Sequence, residues 1–178
     1  MSQLSFQVSA TRLPGRCRIF ARSVLLQRGW AVQELWWQIP AGFAQFTVAD
    51  RIAWVERQVT EAIEAEAGAC RLVVGKSLGS LACGSAADRN ISAAWLTPIL
   101  TIDHVAVALR RAMEPTLLIG GTADRVWDSR IAASLRHDVL EVPSADHGLE
   151  LADDAAGSVE VLGQVVSRLD RFIGSLGG

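Results

Sequence analysis

The strongest constraint on the fold is an alternation along the chain. Short apolar runs take turns with longer stretches of helical periodicity. Leu4–Ser9, Ala31–Trp37, Cys70–Val74, Ile91–Trp95, Thr116–Ile119 and Val139–Val142 read as strands. The middle runs are almost continuously apolar, as strands are when helices cover both faces of a parallel sheet. Between them, Cys17, Phe20, Ala21, Val24 and Leu25 recur at helical spacing, with Gly29 as a stop. Val48, Ile52, Val55, Val59 and Ile63 form a second stripe, with Thr47 and Asp50 placed to cap it. Leu78–Ala86 is expected to be helical, as is a shorter segment carrying Val105, Ala108, Leu109 and Ala112. Val159, Leu162, Val166, Leu169 and Ile173 mark a last helix, with Gly174 expected to close it. Such alternation predicts an α/β fold, a three-layer sandwich with a mostly parallel sheet of about six strands and helices on both faces.

The 178 residues suit one domain over 1–178 with one core. Half of the residues are hydrophobic and a fifth are charged, the balance of a globular chain. A net charge of −2 gives no electrostatic reason to expect nucleic acid or an anionic membrane surface as a partner. No apolar run reaches the roughly 18 residues of a membrane span, and the start M-S-Q-L-S-F-Q-V does not read as a secretory leader. Cys17, Cys70 and Cys83 are odd in number and scattered, so reduced thiols and a cytoplasmic location are expected. His104, His137 and His147 are not spaced as metal ligands, and neither metal nor cofactor is expected. Lys76 is the only lysine; arginine supplies the rest of the Lys/Arg charge. Nothing in the sequence fixes the oligomeric state.

In a parallel sheet of this kind, sites form where strands end at the carboxyl edge. Several candidate pieces fall there. The run C-R-L-V-V-G-K-S-L-G-S ends in Ser77, fenced by Gly75 and Gly79. A G-x-S-x-G turn between strand and helix strains the serine backbone and leaves its hydroxyl exposed, and small flanking residues let neighbouring backbone pass. The amide of Leu78 then points where an oxyanion would form. A glycine-lined packing turn without chemistry has the same pattern. Asp124, in P-T-L-L-I-G-G-T-A-D-R-V-W-D, follows another strand and is suited to orient an imidazole. Asp128 is its rival, although its place near the next helix suits a favourable contact with the helix dipole. His147, in E-V-P-S-A-D-H-G-L-E, follows the last strand, whereas His137 precedes that strand and His104 starts a helix. Serine, aspartate and histidine thus occur in the chain order of a strand-turn nucleophile and its partners.

G-K-S-L-G resembles the nucleophile elbow of the α/β-hydrolase superfamily, G-T-A-D-R-V-W-D its acid loop, and A-D-H-G-L-E its histidine loop. The resemblance runs from Leu13 to the last helix. It implies a small serine hydrolase, carboxylesterase-like, with Ser77 as nucleophile, His147 as general base and acid, and Asp124 as the orienting carboxylate. It implies a small-molecule acyl substrate, and an oxyanion hole formed by the amides of Leu78 and Arg16. Two features depart from the family pattern. With about six strands and no insertion after Ile91–Trp95, the chain looks like a minimal, lidless version. The Pro14-Gly15-Arg16 segment is also short for an oxyanion loop.

Trp37, Trp95 and Trp127 are candidates to line an apolar acyl pocket, and Trp36 is a fourth tryptophan at a strand end. Arg12, Arg16, Arg18 and Arg125 are candidates to attract an anionic substrate, against the commoner fate of a solvated surface. Two alternatives stay open: a degenerate binding or interaction protein on the same fold, and a thioesterase or acyltransferase using the same three residues. A phosphate-binding loop does not fit, because Gly75-Lys76-Ser77 lacks the earlier glycine that such a loop requires.

Overall fold

The computed structural model describes residues 4–9 and 16–177, with side chains described from residue 19 onward. Six strands form one sheet: β1 (Leu4–Ser9), β2 (Ala31–Trp36), β3 (Cys70–Lys76), β4 (Ser92–Leu96), β5 (Thr116–Gly121) and β6 (Asp138–Val142). All pairings are parallel, in the order β2-β1-β3-β4-β5-β6. The α/β sandwich expected from the alternation is therefore the fold observed. Because every strand runs the same way, every strand ends at the same edge.

The helices are α1 (Arg16–Gln27), α2 (Val48–Ala65), α3 (Cys83–Asp88), α4 (Asp103–Arg111), α5 (Ser129–Ser134) and α6 (Ala155–Leu176). Side-chain alternation along the strands divides the core into two layers. Val73, Trp95 and Leu118 pack with Val55, Val59, Leu81, Val105 and Leu109 on the face covered by α2, α3 and α4. Val74, Leu96 and Ile119 pack with Val24, Leu25, Val165 and Leu169 on the face covered by α1 and α6. β4 and β5 are buried throughout, in keeping with compositions that are apolar apart from Ser92 and Thr116. The start of α2 is fixed by a capping box: the Thr47 hydroxyl accepts from the Asp50 amide, and the Asp50 carboxylate accepts from the Thr47 amide.

Three local expectations are corrected. The expected helix over Leu78–Ala86 opens as a 3-10 segment, Ser77–Ala82, before becoming α3. Gly174 does not close the last helix, which continues to Leu176. A Cβ at Gly174 would lie 2.9 Å from Nη1 of Arg28, whose guanidinium makes a bidentate pair with Asp170. The Arg28 side chain, from just beyond α1, thus lies over Gly174 on α6. The apolar stripe of α6 holds at Leu169 and Ile173, with Leu162 and Val166 packed at its margin, but Val159 is 62% exposed and Val161, Val165 and Phe172 face the core as well.

Among the described residues, no helix is long and apolar enough to cross a membrane. Cys70 and Cys83 are free and buried. Burial pushes the Cys70 thiol up to about 11, and burial with the Glu56 carboxylate holds Cys83 well above its ordinary range. An unfolded thiol ionises near 9.0, so between these values the unfolded chain releases protons that the folded chain keeps. The chain has no tyrosine and one lysine, so few other groups titrate in that window. Stability is expected to fall as the pH rises from about 8 to about 10.5, read as a lower urea midpoint. An unchanged midpoint would contradict the assignment of both thiols to the folded core.

Candidate active site

Gly75 ends the apolar part of β3 directly opposite Trp95 of β4. A Cβ at Gly75 would lie 2.5 Å from the Trp95 ring, which is itself fully buried. Glycine is required here because a buried indole occupies the space. Lys76 keeps extended geometry, and Ser77 then switches to φ 52°. This left-handed value is costly for a residue with a Cβ, of order 1–3 kcal/mol. It reverses the chain within one residue, starts the 3-10 segment and leaves Ser77 part-exposed. The following segment is secured by Ser80, whose buried hydroxyl accepts from the Ile99 amide at 3.0 Å.

The loop after β5 carries Asp124, whose side chain is 2% exposed. Its Oδ1 accepts from the Val126 amide at 3.0 Å, which fixes the carboxylate plane. The Asp124 amide donates to Gly121 and the Trp127 amide to Asp124, so the loop is a tight hydrogen-bonded turn. Asp128 acts elsewhere. Its Oδ1 accepts from the amides of Arg130 and Ile131 and caps α5.

The loop after β6 carries His147. Its backbone is tied to the acid loop by Thr122 donating to Val142, Ala123 donating to Ala145, and Ser144 donating to the Thr122 hydroxyl. A Cβ at Gly121 would collide with the carbonyl of Ala145, so that glycine lets the two loops touch. Asp146 shapes the turn itself, accepting from the amides of Gly148 and Glu150. The neighbouring Leu149, at φ 63°, plugs into the core.

These three loops bring their side chains into one line. His147 Nδ1 lies 2.7 Å from Asp124 Oδ2, and His147 Nε2 lies 2.7 Å from Ser77 Oγ. The imidazole is 44% exposed while the carboxylate behind it is buried. In the neutral imidazole tautomer that donates from Nδ1 to the Asp124 carboxylate, Nε2 is the acceptor for the serine hydroxyl. The other histidines are elsewhere: the His104 ring lies beside Glu56 and the Leu81 carbonyl, and His137 contacts the Leu109 carbonyl.

Ser77 opens into a cavity of about 380 Å³, lined among the described residues by Ile99, Ala123, Asp124, Arg125, Val126, Asp146 and His147 as well. The tryptophans expected to line it do not. Trp95 fills the space beneath Gly75, and Trp127 sits over Gly120 with its indole N–H donating to Glu141 at 2.6 Å. Trp37 packs on Trp54, with ring centroids 5.3 Å apart, and Trp36 is exposed. Bulk and aromaticity mark all four as pocket candidates, but Trp95 and Trp127 instead fill the space at the strand-end glycines. Ile99, Ala123, Val126 and Asp146 line the cavity instead. Their only signal in the sequence is adjacency to Asp124 and His147 or to the end of β4. Arg125 lines the cavity, as does no other of the four candidate arginines among the described residues. Arg12, Pro14 and Gly15 lie outside the described residues, as do the side chains of Arg16 and Arg18. Arg16 itself is the first residue of α1, and Leu78 is the second residue of the 3-10 segment.

No family model matches the chain, and no curated protein matches it. Solved structures do match its backbone. A lidless α/β serine hydrolase from Xanthomonas campestris shares 15% identity with a TM-score of 0.66, over 98% of this chain and 83% of that one. Est1E from Butyrivibrio proteoclasticus shares 12% identity with a TM-score of 0.70, over 98% and 88%. An esterase from Pyrococcus furiosus shares 15% identity with a TM-score of 0.70, over 99% and 84%. At such identities the likeness concerns the fold, and on that ground the chain has the α/β-hydrolase fold.

The strained backbone at Ser77 gives a test of its own. Replacing Ser77 by glycine is expected to raise unfolding free energy by about 1 kcal/mol, and replacing it by alanine is not. Denaturant titration of both variants decides; equal stability of the two would mean that the left-handed turn stores no strain.

Proposed function

We propose that the protein is a serine hydrolase that cleaves a small carboxylic ester through an acyl-enzyme intermediate. The observation that carries this reading is the continuous hydrogen-bonded line from the part-exposed Ser77 through His147 to the buried Asp124 carboxylate. Ser77 attacks the acyl carbonyl as His147 Nε2 takes its proton. Asp124 holds the ring in the tautomer that can accept that proton and stabilises the imidazolium that results. We assign the oxyanion to the Leu78 amide and, as second donor, to the Arg16 amide at the start of α1. His147 then returns its proton to the leaving alcohol. Water attacks the acyl-serine by the same route in reverse and frees the acid.

The cavity supports a small substrate. Ile99, Ala123 and Val126 offer an apolar wall for an acyl chain, and Arg125 and Asp146 make a polar rim. The neighbours in fold include esterases, which agrees with ester cleavage. The same chemistry on a thioester, or acyl transfer to an alcohol, differs only in the leaving group and acceptor.

A fluorophosphonate probe is expected to label the native protein once, at Ser77, and not to label Ser77→Ala. Asp124→Asn is expected to lower kcat on a short-chain activated ester about ten-thousand-fold. Absence of labelling on the folded wild-type protein, or equal labelling of Ser77→Ala, would refute the reading.

A further inference from the structure

We propose that Lys76 is a positioning residue that fastens the His147 loop to the nucleophile strand. The inference rests on the hydrolase reading for its consequence, and on geometry for its contacts. Lys76 immediately precedes Ser77 at the end of β3. Side-chain alternation sends Gly75 toward Trp95 and Lys76 to the opposite face of the sheet. From there its ammonium donates to the main-chain carbonyl of His147 at 2.7 Å and to the Thr97 hydroxyl at 2.9 Å. Thr97 is wholly buried at the end of β4, where its amide donates to the Ile119 carbonyl. One part-buried cation therefore joins the ends of β3 and β4 to the loop that follows β6.

The contacts close a ring. Ser77 is bonded to Lys76, Lys76 holds the backbone of His147, and the His147 ring reaches back to Ser77 Oγ. His147 sits near the tip of a short turn whose neighbours Asp146 and Gly148 are exposed. Its ring is held by Asp124 and its flanking residues by Asp146 and Leu149, while Lys76 holds its own carbonyl from the Ser77 side. A charge-assisted bond to the carbonyl is the strong form of such a tether. Lysine suits the position. A compact ammonium directs its donors tetrahedrally toward two acceptors on different loops, which a planar guanidinium does less well. Every other Lys/Arg position in the chain is arginine; lysine occurs where the geometry asks for it.

A single lysine makes the test direct. In protein labelled with 15N only at lysine, one side-chain ammonium signal arises, and it reports Lys76. Its protons are expected to exchange slowly enough to be seen near neutral pH; exchange as fast as that of free lysine would overturn the proposal. This measurement needs no variant. In Lys76→Met, Ser77 is expected to react with the fluorophosphonate about tenfold to hundredfold more slowly. For ester turnover, kcat is expected to fall while KM stays within about twofold, and Lys76→Arg to recover part of the lost rate. A folded Lys76→Met protein with wild-type rates would also overturn the proposal. Failure of the wild-type protein to react at Ser77 would instead refute the hydrolase reading, while the ammonium signal still decides the tether.

Discussion

Everything at the site depends on six strands running parallel and ending at one edge. That constraint places the turn after β3, the loop after β5 and the loop after β6 side by side, although Ser77 and His147 are 70 residues apart. Each strand end then solves a local packing problem. Gly75 yields to Trp95, Gly120 to Trp127 and Gly121 to Ala145. At Gly75 a ring of the neighbouring strand, and at Gly120 and Gly121 a residue of a following loop, approaches so closely that no side chain fits. The loops are thereby pressed together until a serine, an imidazole and a carboxylate share hydrogen bonds.

The two ends of the line are held differently, and the difference bears on chemistry. Asp124 is buried and braced by the Val126 amide, so its position is set by the fold. His147 stands half in solvent at a turn held by Asp146, by Leu149 in the core and by the Lys76 ammonium. A buried carboxylate behind a tethered imidazole keeps the hydrogen-bonded line in register without rearrangement of the frame. The Ser77 hydroxyl in front is presented by a backbone value that serine does not prefer, so the fold carries a stability cost at this position.

Much of this was legible in the residues. The six strands and the long helices could be read because unbroken apolar runs and 3.6-residue stripes report burial on two faces or one. Ser77, Asp124 and His147 could be read because each stands just past an apolar run and in a consistent chain order. The tryptophans misled because a large apolar side chain signals burial without saying which side of a turn it fills. Trp95 and Trp127 are under the loops, and the cavity wall is made of smaller residues. A late glycine likewise suggests a helix end, but the helix runs past Gly174 to Leu176. Lys76 was visible as the sole lysine, but its contacts with Thr97 and His147 depend on loops distant in sequence and had no local signature.

The central claim is that the line Ser77–His147–Asp124 performs acyl transfer. Rapid quenching of the protein with an activated acetate ester, followed by peptide mass analysis, tests it most directly. Acyl transfer at this line predicts an early burst of released alcohol and one acetyl group per chain on the peptide containing Ser77, absent from Ser77→Ala. Acetylation confined to other side chains, or unchanged in that variant, would contradict it.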